Sequence, residues 1–187
     1  RTARIAKLLL FDVPVVTFLS GLNHEGGHIA RTRQQALPYA FDIVGSPWSA
    51  RPFELVALDP RIFDDLGSQT GGLEASRTLK DRGEALLWRA GRAAPGLALA
   101  TVVASLDLPV YAWHNLSDDL FTSRDDRNGD PIRILEIVAR RNGVTSRGDL
   151  EHLRSRMRRR AALNLADTAL WSLAYGIVRD YAWTGEP

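Results

Sequence analysis

Three long apolar stretches set the terms for this chain: Ile5 to Leu22, Gly96 to Trp113 and Leu163 to Val178. Each is interrupted near its middle by one acid, Asp12, Asp107 and Asp167 respectively. Their lengths approach the roughly 18 apolar residues that a membrane span requires. The interrupting acids make buried core helices the cheaper explanation, and the expectation is a soluble domain. Membrane association stays open because Arg158, Arg159 and Arg160 immediately precede the third stretch, where positive-inside flanks are found.

At 187 residues the chain fits one domain, or one domain with an appendage. Arg1 leads straight into an apolar stretch without an initiator Met, so the chain is expected to be a processed product or part of a longer one. Helical periodicity runs from about Ala3 to Gln35, with a restart near Asp12 to Pro14, where Asp can cap and Pro can sit in a first turn. From Ala36 to Gly72, five prolines and glycines as far as Pro60 and three more glycines beyond it forbid a long helix. Short strands fit Tyr39 to Val44 and Phe53 to Leu58.

Further helices are expected over Leu73 to Ala93, Pro95 to Asn115 (bent or ended at Pro109), Ile132 to Arg141, Arg147 to Arg160 and Ala161 to Ala182. The last is apolar nearly all round and reads as buried, with Trp171 and Tyr175 as core. The fold class is therefore mostly α: a helical, bundle-like single domain with one irregular Pro/Gly-rich segment that holds short strands.

His24, Glu25, Gly26, Gly27 and His28 spell HExxH inside the first helix. Histidines four apart stand one turn apart on one helix face, so both imidazoles can reach one ion at about 2.0–2.1 Å. Glu25 points about 100° away from His24, which suits a general base acting on a zinc-bound water better than a ligand. Gly26 and Gly27 each cost the helix about 1 kcal/mol relative to Ala, and they leave space against its backbone. With no cysteine in the chain, a transition metal must rely on imidazole and carboxylate ligands, and Zn2+ is the expected cofactor.

Over Gly21 to Arg33 the chain resembles the zincins, the HExxH zinc metallopeptidases. The resemblance implies zinc on His24 and His28, Glu25 as the base, a third ligand from elsewhere and a peptide or protein substrate. The metzincin extension is absent, since Thr32 to Pro38 holds neither its glycine nor its third histidine.

A gluzincin-like third ligand would be a glutamate on a following helix, and Glu74 leads because it follows Gly71 and Gly72 at the expected helix start. Acids also favour any first helical turn through the dipole alone. Glu54 and Glu84 are its acidic rivals, and Asp81 is a candidate for orienting a ligand histidine. Asp107, Tyr111, His114 and Asp118 form a polar stripe on the apolar third helix, from which Tyr111 or His114 could stabilise an oxyanion, or His114 could be the third ligand. A hydrogen-bonded core network explains the same stripe.

Other signals are weaker. Aligning Gly129 to the sixth position of a calcium loop puts Arg124 first and Leu135 twelfth, where acidic ligands are needed. The arginines from Arg140 to Arg160 lack interleaved aromatics and read as a solvated face, so no nucleic-acid partner is expected. Three functions remain: a zinc-dependent hydrolase, most directly a peptidase; a non-catalytic helical module tied by a metal; and an arginine-rich module for an anionic surface.

Overall fold

The computed structural model describes residues 1–42, 46, 48, 54–58, 60–90, 94–116 and 130–185. The first helix, α1, runs Thr2–Gln34 with one wide turn at Leu8–Asp12, and Pro14 opens the regular helix that follows. It ends where Ala36 takes a left-handed φ of 53° and the Leu37 N–H returns to the Thr32 carbonyl. Glycine is the usual residue for that closure, so Ala36 carries a strain of about 1 kcal/mol. Strands β1 (Tyr39–Asp42) and β2 (Glu54–Ala57) then pair antiparallel, Tyr39 opposite Ala57 and Asp42 opposite Glu54.

Helix α2 spans Leu66–Ala90 and α3 spans Pro95–Asn115, with Pro109 inside an unbroken helix. They are followed by α4 (Asp130–Arg141), α5 (Arg147–Leu163) and α6 (Thr168–Gly176), which continues as a wide-turn segment over Ile177–Thr184. The expected continuous helix from Ala161 to Ala182 is broken at Asp167, which leaves helical geometry, caps the Ala169 N–H and bends the chain by 49°. Helix α2 starts seven residues ahead of the expected Leu73. Asp65 caps it by accepting from the Ser68 N–H, and the packing of Gly71 and Gly72 against the first helix helps offset the cost of glycines in the helix.

The three acids of the apolar stretches all have partners. Asp12 meets Lys7 and the Tyr181 hydroxyl, Asp107 meets His24 at 2.8 Å, and Asp167 meets Lys80 at 2.8 Å. Both lysines of the chain are thereby engaged. The hydrogen bond from Lys80 holds the Asp167 carboxyl below its ordinary pKa, and the same contact raises that of Lys80.

Two apolar clusters form on either side of Asp107. One gathers Leu8, Leu87, Leu99, Val102, Leu170 and Ile177, and the other Ala112, Leu116, Ile132, Leu135 and Ala161. Leu170 and Leu116 are sealed at 1% and 0% exposure, and each contributes about 1.5–3 kcal/mol by leaving water.

Burial of the apolar stretches departs from expectation. Of residues 5–22 only Leu8 is buried, and Trp171 and Tyr175, expected in the core, are 58% and 62% exposed. Helix α6 packs into the core through Leu170, fully covered, with Leu173 and Ala174 partly buried beside it, while Trp171 and Tyr175 face outward. Two helices, Thr2–Gln34 and Pro95–Trp113, are long and apolar enough to cross a membrane, and a third candidate arises if the bent pair ending at Thr184 counts as one span.

Candidate metal centre

The site forms where α1 and α2 touch backbone to backbone. A Cβ on Gly27 would lie 2.1 Å from the Gly71 carbonyl oxygen, and one on Gly71 would lie 2.5 Å from that of Gly27, so only glycine permits the approach. The helices run antiparallel, pairing His28 with Ser68 and His24 with Ser76. The residues of α2 that face the histidines are thus Ser68, Gly72 and Ser76, a four-residue repeat along one face.

Both imidazoles are fixed through Nδ1. His28 Nδ1 lies 2.6 Å from the Ser68 carbonyl oxygen; a carbonyl can only accept, so Nδ1 donates. His24 Nδ1 donates to the Asp107 carboxylate at 2.8 Å. In the neutral rings the lone pairs then sit on Nε2. The two Nε2 atoms lie 2.3 and 2.4 Å from the point a Cβ on Gly72 would fill, and His24 Cδ2 lies 2.4 Å from it, so both imidazoles pack their Nε2 edges against Gly72. The rings are 7% and 5% exposed, with centroids 5.0 Å apart. An acceptor on Nδ1 and a lone pair on Nε2 is the arrangement by which metal-ligating histidines are held.

Beside His24 a cleft of about 220 Å³ runs between α1, α2 and α3, lined by Ser20, Glu25, Ser76, Asp107 and Tyr111 among others. It is smaller than the about 300–1,000 Å³ of typical ligand pockets and suits one side chain or a short length of backbone. Tyr111 meets His24 edge-on, with centroids 5.5 Å apart. Ser20 Oγ is buried in this wall with no hydrogen-bond partner among the described residues, a polar atom set for water or ligand.

No protein family, curated protein or solved structure matches the chain. The geometry stands on its own. The structure brings His24, His28, Glu25 and Tyr111 together, and adds Asp107, to which the sequence had assigned no role at the histidines.

Glu74 is not brought with them. It is exposed, bound to Arg31 and Thr70, and among the described residues no group of three His, Asp or Glu could hold a metal. The reason is the early start of α2, which sets Glu74 two residues from both Gly72 and Ser76 and so about 200° around the helix from them. Asp81 pairs with Arg77 on the surface and Glu84 with Lys80, so neither orients a histidine. The side chains of Glu54 and His114, and all of Asp118, lie outside the described residues.

The Ser68 carbonyl and Gly72 were missed by sequence reasoning. A main-chain acceptor carries no sequence signal, but the Asp65 cap did: read as a helix start, it sets Ser68, Gly72 and Ser76 on one face.

Proposed function

We propose that the chain is a zinc-dependent hydrolase, in its most direct form a peptidase, with Glu25 as the base and with His24 and His28 as two metal ligands to which the described residues add no third His, Asp or Glu. One observation carries the reading. The Nε2 edges of two buried histidines lie together against Gly72 while both Nδ1 atoms donate to fixed acceptors. Zinc bound there supplies Lewis acidity toward a carbonyl and lowers the pKa of a ligated water to about 7.

The chain's own residues do the rest. Glu25, in the cleft wall next to His24, takes the proton of the attacking water and passes it to the leaving amine. Asp107 fixes the tautomer of His24 and raises its basicity toward a cation. Tyr111 in the same wall faces the oxygen on which charge develops. The two helices hold these groups rigidly, because the Gly27–Gly71 contact leaves no slack between their backbones.

The test compares wild type with Glu25→Gln at equal zinc occupancy on a broad peptide library. The amide keeps the shape of the carboxylate but cannot take a proton, so cleavage should fall by about 10²- to 10⁴-fold in kcat, with zinc retained. Equal rates would remove Glu25 from the mechanism. Zinc bound by both proteins with cleavage by neither would leave the metal-tied module as the function.

A further inference from the structure

We infer that α1, α3 and α6 seat this chain in a lipid bilayer, with the histidine pair at the headgroup boundary and not at mid-membrane. The depth assignment rests on the site reading above, whereas the seating does not. The most apolar 18-residue window of α1 has a mean hydropathy of 1.8, yet only 6% of it is buried inside the fold. In the same helix Leu9, Leu10, Phe11 and Leu19 are 53–71% exposed. Trp48 extends this surface, lying over Phe11 with its indole N–H donated to the Leu10 carbonyl. Val178 and Trp183 continue it from the last helix. A patch of this extent on a soluble monomer marks an unfilled contact.

Dimensions and charge select lipid as the occupant. Residues 5–22 rise about 27 Å as a helix, close to the roughly 30 Å of a bilayer's hydrocarbon core. Each end carries an arginine on an exposed tryptophan: Arg1 over Trp183 at the start of α1, and Arg158 over Trp113 at the end of α3. Tryptophan and arginine at both limits of an apolar segment are what the two membrane interfaces favour, with the cations reaching lipid phosphates. The acid within the span, Asp12, is held by Lys7 and Tyr181. His24 follows Leu22 by two residues, about 3 Å of rise, which sets it at the polar edge. The outer face of α2 bears Arg77 and Asp81, whose side chains are 83% and 59% exposed, and on this seating would be the side turned from lipid.

The absence of cysteine makes the test direct. Single cysteines at Leu10, Leu19, Val178, Arg77 and Arg33 would be spin-labelled in the full chain and reconstituted into phosphatidylcholine–phosphatidylglycerol vesicles. The expected result is flotation resistant to high salt and alkaline carbonate. Labels at 10, 19 and 178 should be reached by oxygen and shielded from a nickel chelate, while those at 77 and 33 should be open to the chelate. For the unmodified chain, brominated lipids should quench its tryptophan emission.

Sedimentation as a soluble monomer without vesicles, release by carbonate or uniform chelate access would each overturn the proposal. Shielding that persists without lipid would overturn it too, by assigning the face to a second copy. Zinc content, measured separately, reports on the metal site whichever way flotation falls.

Discussion

Gly72→Ala inserts one methyl against the Nε2 edges of both histidines and alters no proposed ligand. The added carbon would stand 2.3 Å from His24 Nε2 and 2.4 Å from His28 Nε2, about 1 Å inside ordinary contact on both sides. The rings cannot back away, because Asp107 and the Ser68 carbonyl hold their far nitrogens at 2.8 and 2.6 Å. Releasing either bond costs about 1–3 kcal/mol, and separating α1 from α2 costs a similar overpacking term. Alanine returns up to about 1 kcal/mol of helix propensity. The net expectation is a loss of about 0–2 kcal/mol in urea unfolding and a fall in zinc affinity of at least about 10- to 100-fold, the scale seen when histidine supports are disturbed. Chelator competition measures the affinity. Wild-type zinc affinity in Gly72→Ala would refute the placing of a metal at the two Nε2 edges beside Gly72.

Other substitutions test neighbouring statements. Gly26→Ala, with nothing within 4 Å of the new methyl, should stabilise the fold by up to about 1 kcal/mol and leave zinc untouched. Asp107→Asn should keep the fold and lower zinc affinity by about 10- to 100-fold; unchanged affinity would deny that carboxylate its orienting role. Glu74→Ala should alter zinc affinity not at all and stability by less than about 1 kcal/mol, since its pair with Arg31 is exposed; lost zinc would restore it as a ligand. For Lys80→Met, urea unfolding should lose its acid and alkaline limbs. In the wild type the depressed Asp167 contributes above an ordinary carboxylate pKa and loses that contribution as pH falls through its lowered value. The raised Lys80 contributes below 10.5 and loses it as pH rises through its higher one. An unchanged profile would show that this pair adds nothing.

The sequence made the helices legible wherever periodicity was strong, and α3 matches its expected limits to the residue. It failed where long-range partners decide. Helix α2 runs through Gly71 and Gly72 because they pack against α1, and through Gly83 against Thr101 of α3, a gain no local propensity contains. The Asp167 carboxylate that caps α6 at the break also pairs with Lys80, more than eighty residues upstream. In the site, the spacing of His24 and His28 set both on one face of α1, and the stripe through Asp107 and Tyr111 meets that face at His24. Glu74 misled because a helix start misplaced by seven residues turns its face away. Apolarity alone could not say whether the stretches would be covered by protein, and the structure leaves most of the first one outward.

The most direct measurement of the central claim is the zinc content of protein purified without a histidine tag, beside His24→Ala and His28→Ala. About one zinc per wild-type chain and a small fraction of that in either variant is expected, because two ligands on one helix face have no local substitute. Stoichiometric zinc in either variant, or none in a folded wild type offered zinc, would contradict the metal centre.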